Sequence, residues 1–452
     1  MERKSREEFI ALGKKHYWVP NGKDETFFDL PSSIIVSSNG CYITDIDGVR
    51  LLDSMALMAA AVLGYSNLHV IEAMKKAMDE QVTNVSGWLA LTPQILLAEK
   101  LASLAPGSLN KVMYGCTGSD ANETAMKIAR EYFRIMGKGT KYKIISRWGS
   151  YHGALFGSGT ASGYPWRRRL LEPVPPGFIH INPPYCYRCP YKLTYPDCGI
   201  WCAEELRSTI EYEDPSTVAA FIGDIVITSL GPFPPVPGYW KKIREICDEY
   251  GVLMIVDEVI TGYGRLGGDY FASKKYGILP DMITCAKGLS AGYLPLSAVI
   301  VKDEIAGVFK GPNSFHHVLT MAGNPVGCCA GLAAIEESEK LNLFKRVLEK
   351  EKLVFSEFEK IKADFEIVGN INVTGLDFGI ELVRDRSTKK PFADPKVNAE
   401  IFEVGKKNGV LFYALGKSPV VMMMPPLIIS DDELGLIFTA LRQALKSVEE
   451  NF

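Results

Sequence analysis

The chain has 452 residues, 23% of them charged, and a formal net charge of −3. That length allows two or three domain-sized units around a large core, and the near-balanced charge excludes an electrostatic grip on nucleic acid or a membrane surface. Asp, Lys or Gly interrupts every apolar run before it reaches the length of a membrane span. The opening stretch MERKSREEFIALGKKH is charged, lacks an apolar centre and carries acids. Neither a secretory signal nor a mitochondrial transit peptide is therefore expected, and the cytoplasm is the expected compartment.

In chain order, GCYITDIDGVRLLDS (40–54) alternates about Asp47-Gly48, as a hairpin does. NLHVIEAMKKAMDEQV (67–82) carries apolar residues three and four apart, the helical period. NKVMYGC (110–116) reads as a short buried strand, and DANETAMKIAREYFRIMG (120–137) as a helix that stops at Gly137. YKIIS (142–146), VAAFIGDIV (218–226) and GVLMIVD (251–257) read as further buried strands, with the helix GYWKKIREICDEYG (238–251) before the last. This alternation predicts a doubly wound α/β domain with a largely parallel sheet. Beyond about residue 330, long helices, VVMMMPPLIIS (420–430) and a final helix predict a smaller α+β domain, joined by the N-terminal hairpin. The expected division is 1–69 and 330–452 for the two parts of the small domain, and 70–329 for the large one.

Ligands of open α/β sheets gather outside the carboxyl ends of the strands. After GVLMIV stands Asp257, after DMITCA stands Lys287, and after KVMYGC the turn Thr117-Gly118-Ser119 opens a helix. Each has a plain structural reading. Asp257 caps the next element, Lys287 snorkels to the surface, and the turn is an N-cap helped by Asp120 and Glu123. Together, an acid, an amine and a glycine turn at a helix N-terminus suit pyridoxal phosphate. The amine forms a Schiff base, the acid keeps the pyridine nitrogen protonated, and the helix N-terminus holds the phosphate. A lysine in an apolar pocket near cations has a lowered pKa and serves as nucleophile and then as base.

Two other patterns compete for attention. Gly262, Gly264 and Gly267 form G-x-G-x-x-G, but residues including Asp257 separate them from their strand, and no acid follows at the spacing of a dinucleotide site. They read as a loop cluster. Cys186, Cys189, Cys198 and Cys202 are spaced C-x2-C-x8-C-x3-C. Four thiolates suit structural zinc, yet the gap between the pairs is shorter than in ribbons or fingers and no His or carboxylate joins them. Free buried thiols are the expectation there, as for Cys41, Cys116, Cys247, Cys285, Cys328 and Cys329 in their apolar contexts.

The motifs around these residues resemble those of the class-III (ω-) aminotransferases, fold-type I pyridoxal-phosphate enzymes, over about residues 40–430. YGCTGSDANETAMKIAR is similar to the family's phosphate-binding turn, which gives Gly118 and Ser119 that role. SYHG (150–153) resembles its ring-stacking motif, with Tyr151 on one cofactor face. MIVDEVITGYGRLG resembles the strand that carries the pyridine-binding acid, with Val259 against the other face, and CAKGLSAGYLPLSA the Schiff-base lysine motif. FHHVLTMAGNPVGCCAGLAAIE is similar to the segment whose threonine, here Thr320, reaches the phosphate of the neighbouring subunit. The resemblance implies a homodimer with shared active sites, a catalytic Lys287 and Asp257, and transfer of an amino group to a keto acid. A lyase or racemase on the same scaffold is the alternative.

The chain also departs from that family. The usual Glu-Pro is Asp224-Ile225, and a glutamate that shields a substrate-clamping arginine is matched by Ser229. Tyr413 stands where members often carry a mobile arginine. Ala59, followed by Ala60 and Ala61, replaces a pocket tryptophan, a space that Trp88 or Met58 fills in the plain reading. Val318 and Met321 replace a Gly and a Tyr beside Thr320. The implied pocket, with Ala59, Trp88 and Tyr413 on its substrate side, is roomy, apolar and without an arginine clamp. It suits a β-amino acid, a terminal amine or a β-amino acyl thioester as donor. Arg167, Arg168 and Arg169 either meet an anionic tail or form a solvated charge run, the second being the expectation.

Overall fold

In the computed structural model, residues 4–20, 24–30, 32–80, 89–392, 394–415 and 420–452 are described. The central layer is a sheet of β1 (Leu109–Gly115), β2 (Lys143–Arg147), β3 (Phe178–Ile181), β4 (Val218–Asp224), β5 (Leu253–Asp257), β6 (Met282–Cys285) and β7 (Ser297–Lys302). Their spatial order is β1-β7-β6-β5-β4-β2-β3. Strands β2 to β6 pair in parallel. β7 runs antiparallel to both its neighbours, so β1 again points with the rest. The carboxyl ends of β1, β4, β5 and β6 therefore open on one edge, where the sequence put its three features.

Apolar runs rather than alternation mark these strands because both faces are covered. Along β4, Phe221 packs with Val256 and Trp240 on one face, while Ala220 and Ile222 pack with Ile255 and Ala125 on the other. The second face is covered by α1 (Gly118–Ile135), whose buried Ala121, Ala125, Ile128 and Ala129 recur at helical spacing. The first is covered by α2 (Tyr239–Tyr250) through Trp240, Ile243, Ile246 and Cys247, and Gly251 ends that helix in the left-handed region at φ 58°.

The second layer system is smaller. β8 (Val368–Thr374), β9 (Asp377–Leu382), β10 (Tyr413–Leu415) and β11 (Val420–Met423) form an antiparallel sheet in the order β8-β9-β11-β10. Helices α3 (Leu343–Asp364) and α4 (Asp431–Asn451) cover it, with Phe358, Phe378, Phe438, Leu441 and Val421 in one core. The N-terminal hairpin pairs Tyr42–Asp45 with Arg50–Asp53, and its turn closes on Asp45 Oδ1, which accepts from the N–H groups of Asp47 and Val49. Val410–Leu411 joins the second hairpin strand in parallel, which ties the chain's first part to its last. The glycines at 264 and 267, at φ 75° and 73°, turn the loop against Phe344 and Leu348, where no Cβ fits, so this is a packed loop. Among the described residues no helix is long and apolar enough to cross a membrane.

Candidate active site

The three sequence features converge on one cavity of 440 Å³. Thr117, Gly118 and Ser119 line it from the start of α1, Asp257 from the end of β5, and Lys287 from the turn after β6. Its remaining wall is largely apolar and includes Leu57, Ala60, Val226, Ile260 and Leu294. A volume of this order holds a cofactor together with a small substrate.

Lys287 adopts a left-handed backbone conformation (φ 41°), so its side chain leaves β6 sharply rather than following the strand. It is half-buried, reachable through the cavity yet ringed by protein, and burial pushes its amine down from 10.5 to about 8 against the opposing pull of Asp257. The neutral, nucleophilic amine then predominates above about pH 8. The rate at which the cofactor-free protein captures an aldehyde at Lys287 should rise about tenfold per pH unit below that point and level above it. A stopped-flow pH series checks this; a break near 10.5, the ordinary lysine value, would show an amine unaffected by its surroundings.

Asp257 is buried and positioned on both oxygens. Oδ2 accepts from Asn122 Nδ2 at 2.7 Å and from His152 Nδ1 at 2.8 Å, and Oδ1 accepts from the Val259 N–H at 3.0 Å. Thr284 donates in turn to Asn122 Oδ1 at 2.6 Å. These donors fix the orientation of the carboxylate, and Oδ1 retains acceptor capacity toward the cavity. His152 Nε2 is buried and has no partner among the described residues.

At the helix start, Thr117 Oγ1 accepts from the Asp120 N–H, and the Asp120 carboxylate accepts from the N–H groups of Cys116 and Thr117. That capping box leaves the next two N–H groups, of Gly118 and Ser119, at the positive end of an 18-residue helix, where an anion is stabilised. A Cβ at Gly118 would stand 2.9 Å from the Val259 methyls, so glycine keeps the two walls of the cavity apart. Gly118→Ala should push Val259 inward and weaken cofactor binding about tenfold, measured by equilibrium titration of the cofactor-free protein. Unchanged affinity would show that the turn does not face the ligand.

The acid with spare acceptor capacity, the enclosed amine and the helix N-terminus fit pyridoxal phosphate. Tyr151 and Val259 stand on the cavity wall beside them, where flat faces of a ring would be covered.

Other predicted residues lie elsewhere. Ala59 is buried with Met55, Val420, Met422 and Met424, against which Tyr413 packs, and neither lines the cavity. The residues of that segment that do are Leu57 and Ala60. Thr320 is exposed on a turn away from the cavity, and Trp88 lies outside the described residues.

The arginine run is not a uniformly solvated one. The Arg167 guanidinium sits 5.0 Å from the Tyr151 ring centre, and Arg168 lies over Trp148 and 3.0 Å from His180 Nδ1. Only Arg169 of the three is exposed. Asp224 also lines the cavity, but its Oδ1 is committed to Arg147 Nη2 at 2.8 Å and Ser150 Oγ at 2.7 Å.

The four clustered thiols are free, with Cys186 exposed and the other three half-buried around a small gap that Tyr191 also lines; they are not the buried thiols expected. Among the described residues no group of three or more His, Cys, Asp or Glu is arranged to hold a metal. Of the six remaining cysteines, Cys116 and Cys329 are only half-buried, and Cys116 lines the cavity.

Two residues of the site escaped attention in the sequence, Asn122 and His152. Asn122 stands four residues beyond Gly118, on the same helix face, and His152 lies inside the SYHG motif.

Comparison with known proteins agrees with this geometry. The family model for class-III aminotransferases matches residues 28–445. A probable aminotransferase of Mycobacterium tuberculosis is 38% identical over 91% of this chain and 89% of its own length. The putrescine–pyruvate aminotransferase of Pseudomonas aeruginosa is 32% identical over 97% of this chain and 96% of its own. The crystal structure of an (S)-enantioselective ω-transaminase from Thermomicrobium roseum superposes with a TM-score of 0.94 at 33% identity, covering 99% of this chain and 100% of that one. The architecture is that of a fold-type I pyridoxal-phosphate transaminase. The chain belongs to the class-III aminotransferases and uses pyridoxal phosphate.

Proposed function

We propose that the protein transfers an amino group from a terminal-amine or β-amino donor to a 2-oxo acid. One observation carries this reading: among the described residues that line the cavity, Lys287 is the sole lysine or arginine, and most of the remaining lining surface is apolar. A donor with a carboxylate beside its amine would bury that charge without a bidentate partner, which is costly. A donor whose carboxylate is absent or distant avoids the cost. Putrescine, the substrate named for the Pseudomonas relative, is a terminal diamine of this kind.

Pyridoxal phosphate supplies an aldehyde that condenses with amines and a ring that withdraws electrons from the substrate carbon. Lys287 would hold the cofactor at its aldehyde carbon and move the proton at the substrate carbon. Asp257, held by Asn122 and His152, keeps the proton on the pyridine nitrogen. Tyr151 and Val259 cover the two ring faces. Gly118 and Ser119 bind the phosphate together with the partner subunit's Thr320, within a cytoplasmic homodimer that shares its sites. Support for the dimer comes from exposed apolar side chains around Thr320, with Val318 61% and Met321 56% exposed. The proposed division into 1–69 with 330–452 and 70–329 is supported by the sheet each strand joins.

The test mixes holoenzyme with single amines in the absence of keto acid and follows the cofactor spectrum. Terminal and β-amines should convert the cofactor to its amino form with one equivalent of carbonyl product. Conversion by α-amino acids alone would overturn the donor class. Release of ammonia, or of the opposite enantiomer, would make the enzyme a lyase or racemase.

A further inference from the structure

Asp377 opens β9 and is wholly enclosed. A buried carboxylate is costly unless its oxygens are satisfied. Here Thr228 Oγ1 donates to Oδ2 at 2.6 Å, while Oδ1 has no hydrogen-bond partner among the described residues. Thr228 itself lines the cavity that Lys287 enters, so Asp377 stands one hydroxyl behind the cavity wall. Arg265, also fully buried, opposes the charge of Asp377 electrostatically. Arg265 Nη1 donates to the carbonyls of Leu376 at 3.1 Å and Pro425 at 2.6 Å, with Nε and Nη2 unpartnered. Among the described residues the carboxylate has no hydrogen-bond partner besides Thr228, and a residue of leucine's shape would serve the strand at least as well.

We propose that Asp377 is a positioning residue for Lys287, a buried acid that stands behind the Thr228 wall of the cavity the lysine enters. The inference rests on the reading of Lys287 as the reacting amine. Among the described residues, the other charged groups that act on the pair are Asp257 from β5, Arg265 from the loop beyond it, and Asp224 from β4. Burial lowers the proton affinity of Lys287; Asp257 and then Asp377 oppose it, and Arg265 works the other way. Burial lifts Asp377 itself to about 6, so the acid is ionised at neutral pH and loses its charge below about 6. The consequence is a lysine that still binds a proton near the pH at which it must take one from substrate carbon and return it, where burial alone would strip it.

The test is Asp377→Asn, which keeps the shape and removes the charge. In the full-length cofactor-free protein, the pH dependence of Lys287 acetylation, read by mass spectrometry, gives the proton affinity of the amine directly. It should fall about tenfold, one pH unit, the size of effect that a nearby charge produces. In the holoenzyme the pH midpoint of the cofactor's visible absorption should move down as well. A midpoint that stays within about twofold in proton affinity, whatever happens to thermal stability, overturns the proposal.

If the Asn variant fails to fold, Thr228→Val provides the second readout. It removes the hydrogen bond that keeps Asp377 ionised, so the Lys287 midpoint should move in the same direction, and an unmoved midpoint again overturns it. Failure here leaves cofactor attached to Lys287 with an unchanged titration. Failure of the underlying reading would leave no cofactor on Lys287 at all.

Discussion

Lys287→Ala is expected to reduce turnover by at least about 10⁴-fold, because in the proposed reaction one amine both holds the cofactor aldehyde and moves the substrate proton. The backbone of the site should tolerate the change, apart from the left-handed conformation of residue 287 at φ 41°, which alanine adopts no more easily than lysine. The variant should therefore fold, bind cofactor weakly through the helix N-terminus and Asp257, and lack the covalent link. Steady-state kinetics with added cofactor measures the first effect, and retention of cofactor through dialysis the second. Turnover within tenfold of the parent would remove Lys287 from the reaction.

Asp257→Asn should be the next most damaging change, at about 10³-fold in kcat, the scale on which a preorganised charge at a reacting centre contributes. An amide cannot hold the proton on a pyridine nitrogen. It also disturbs its own surroundings. Oδ2 accepts from Asn122 and His152, and Oδ1 accepts from the Val259 N–H, so an NH₂ group in either place faces a donor. That mismatch should lower stability by about 1–3 kcal/mol, visible as a reduced thermal midpoint. Asp257→Glu, which keeps the charge but lengthens the reach, should recover part of the rate and separate charge from geometry. Parent-like kcat in the Asn variant would mean that the acid does not face the cofactor ring.

The α/β architecture was legible because its signal is carried by composition and period. Strand β4 reads as a continuous apolar run since Phe221 and Ile222 are covered on opposite faces, and Asp257 and Lys287 were found because they interrupt such runs at the strand ends. What the sequence hid depends on where separate elements meet. Asn122 and His152 come from a helix and a loop, and only their convergence on one carboxylate oxygen marks them. The reversed β7 beside β1 has no distinct residue pattern, because a buried strand looks alike in either direction.

The substrate side was least legible for a backbone reason. Ala56, Leu57, Met58 and Ala59 all have positive φ, a left-handed turn that costs about 1–2 kcal/mol per residue and that no propensity favours. Asp53 holds it, accepting from the Met55 N–H at 2.8 Å and the Leu57 N–H at 3.3 Å, with the Tyr65 hydroxyl on the same carboxylate. The turn directs Leu57 and Ala60 to the cavity and Ala59 into the apolar cluster around Met55, so matching the segment to a family pattern picks the wrong neighbour. Likewise, a run of three arginines reads as solvated until the loop bends Arg167 over Tyr151.

The proposed reaction depends first on one lysine at this sheet edge, Lys287, holding the cofactor. Borohydride reduction of the holoenzyme followed by tryptic mass mapping tests it without any knowledge of the substrate. The mass of the reduced cofactor is expected on the peptide that contains Lys287 and on no other. Attachment at a different lysine, or a reduced protein that carries no cofactor, would contradict it.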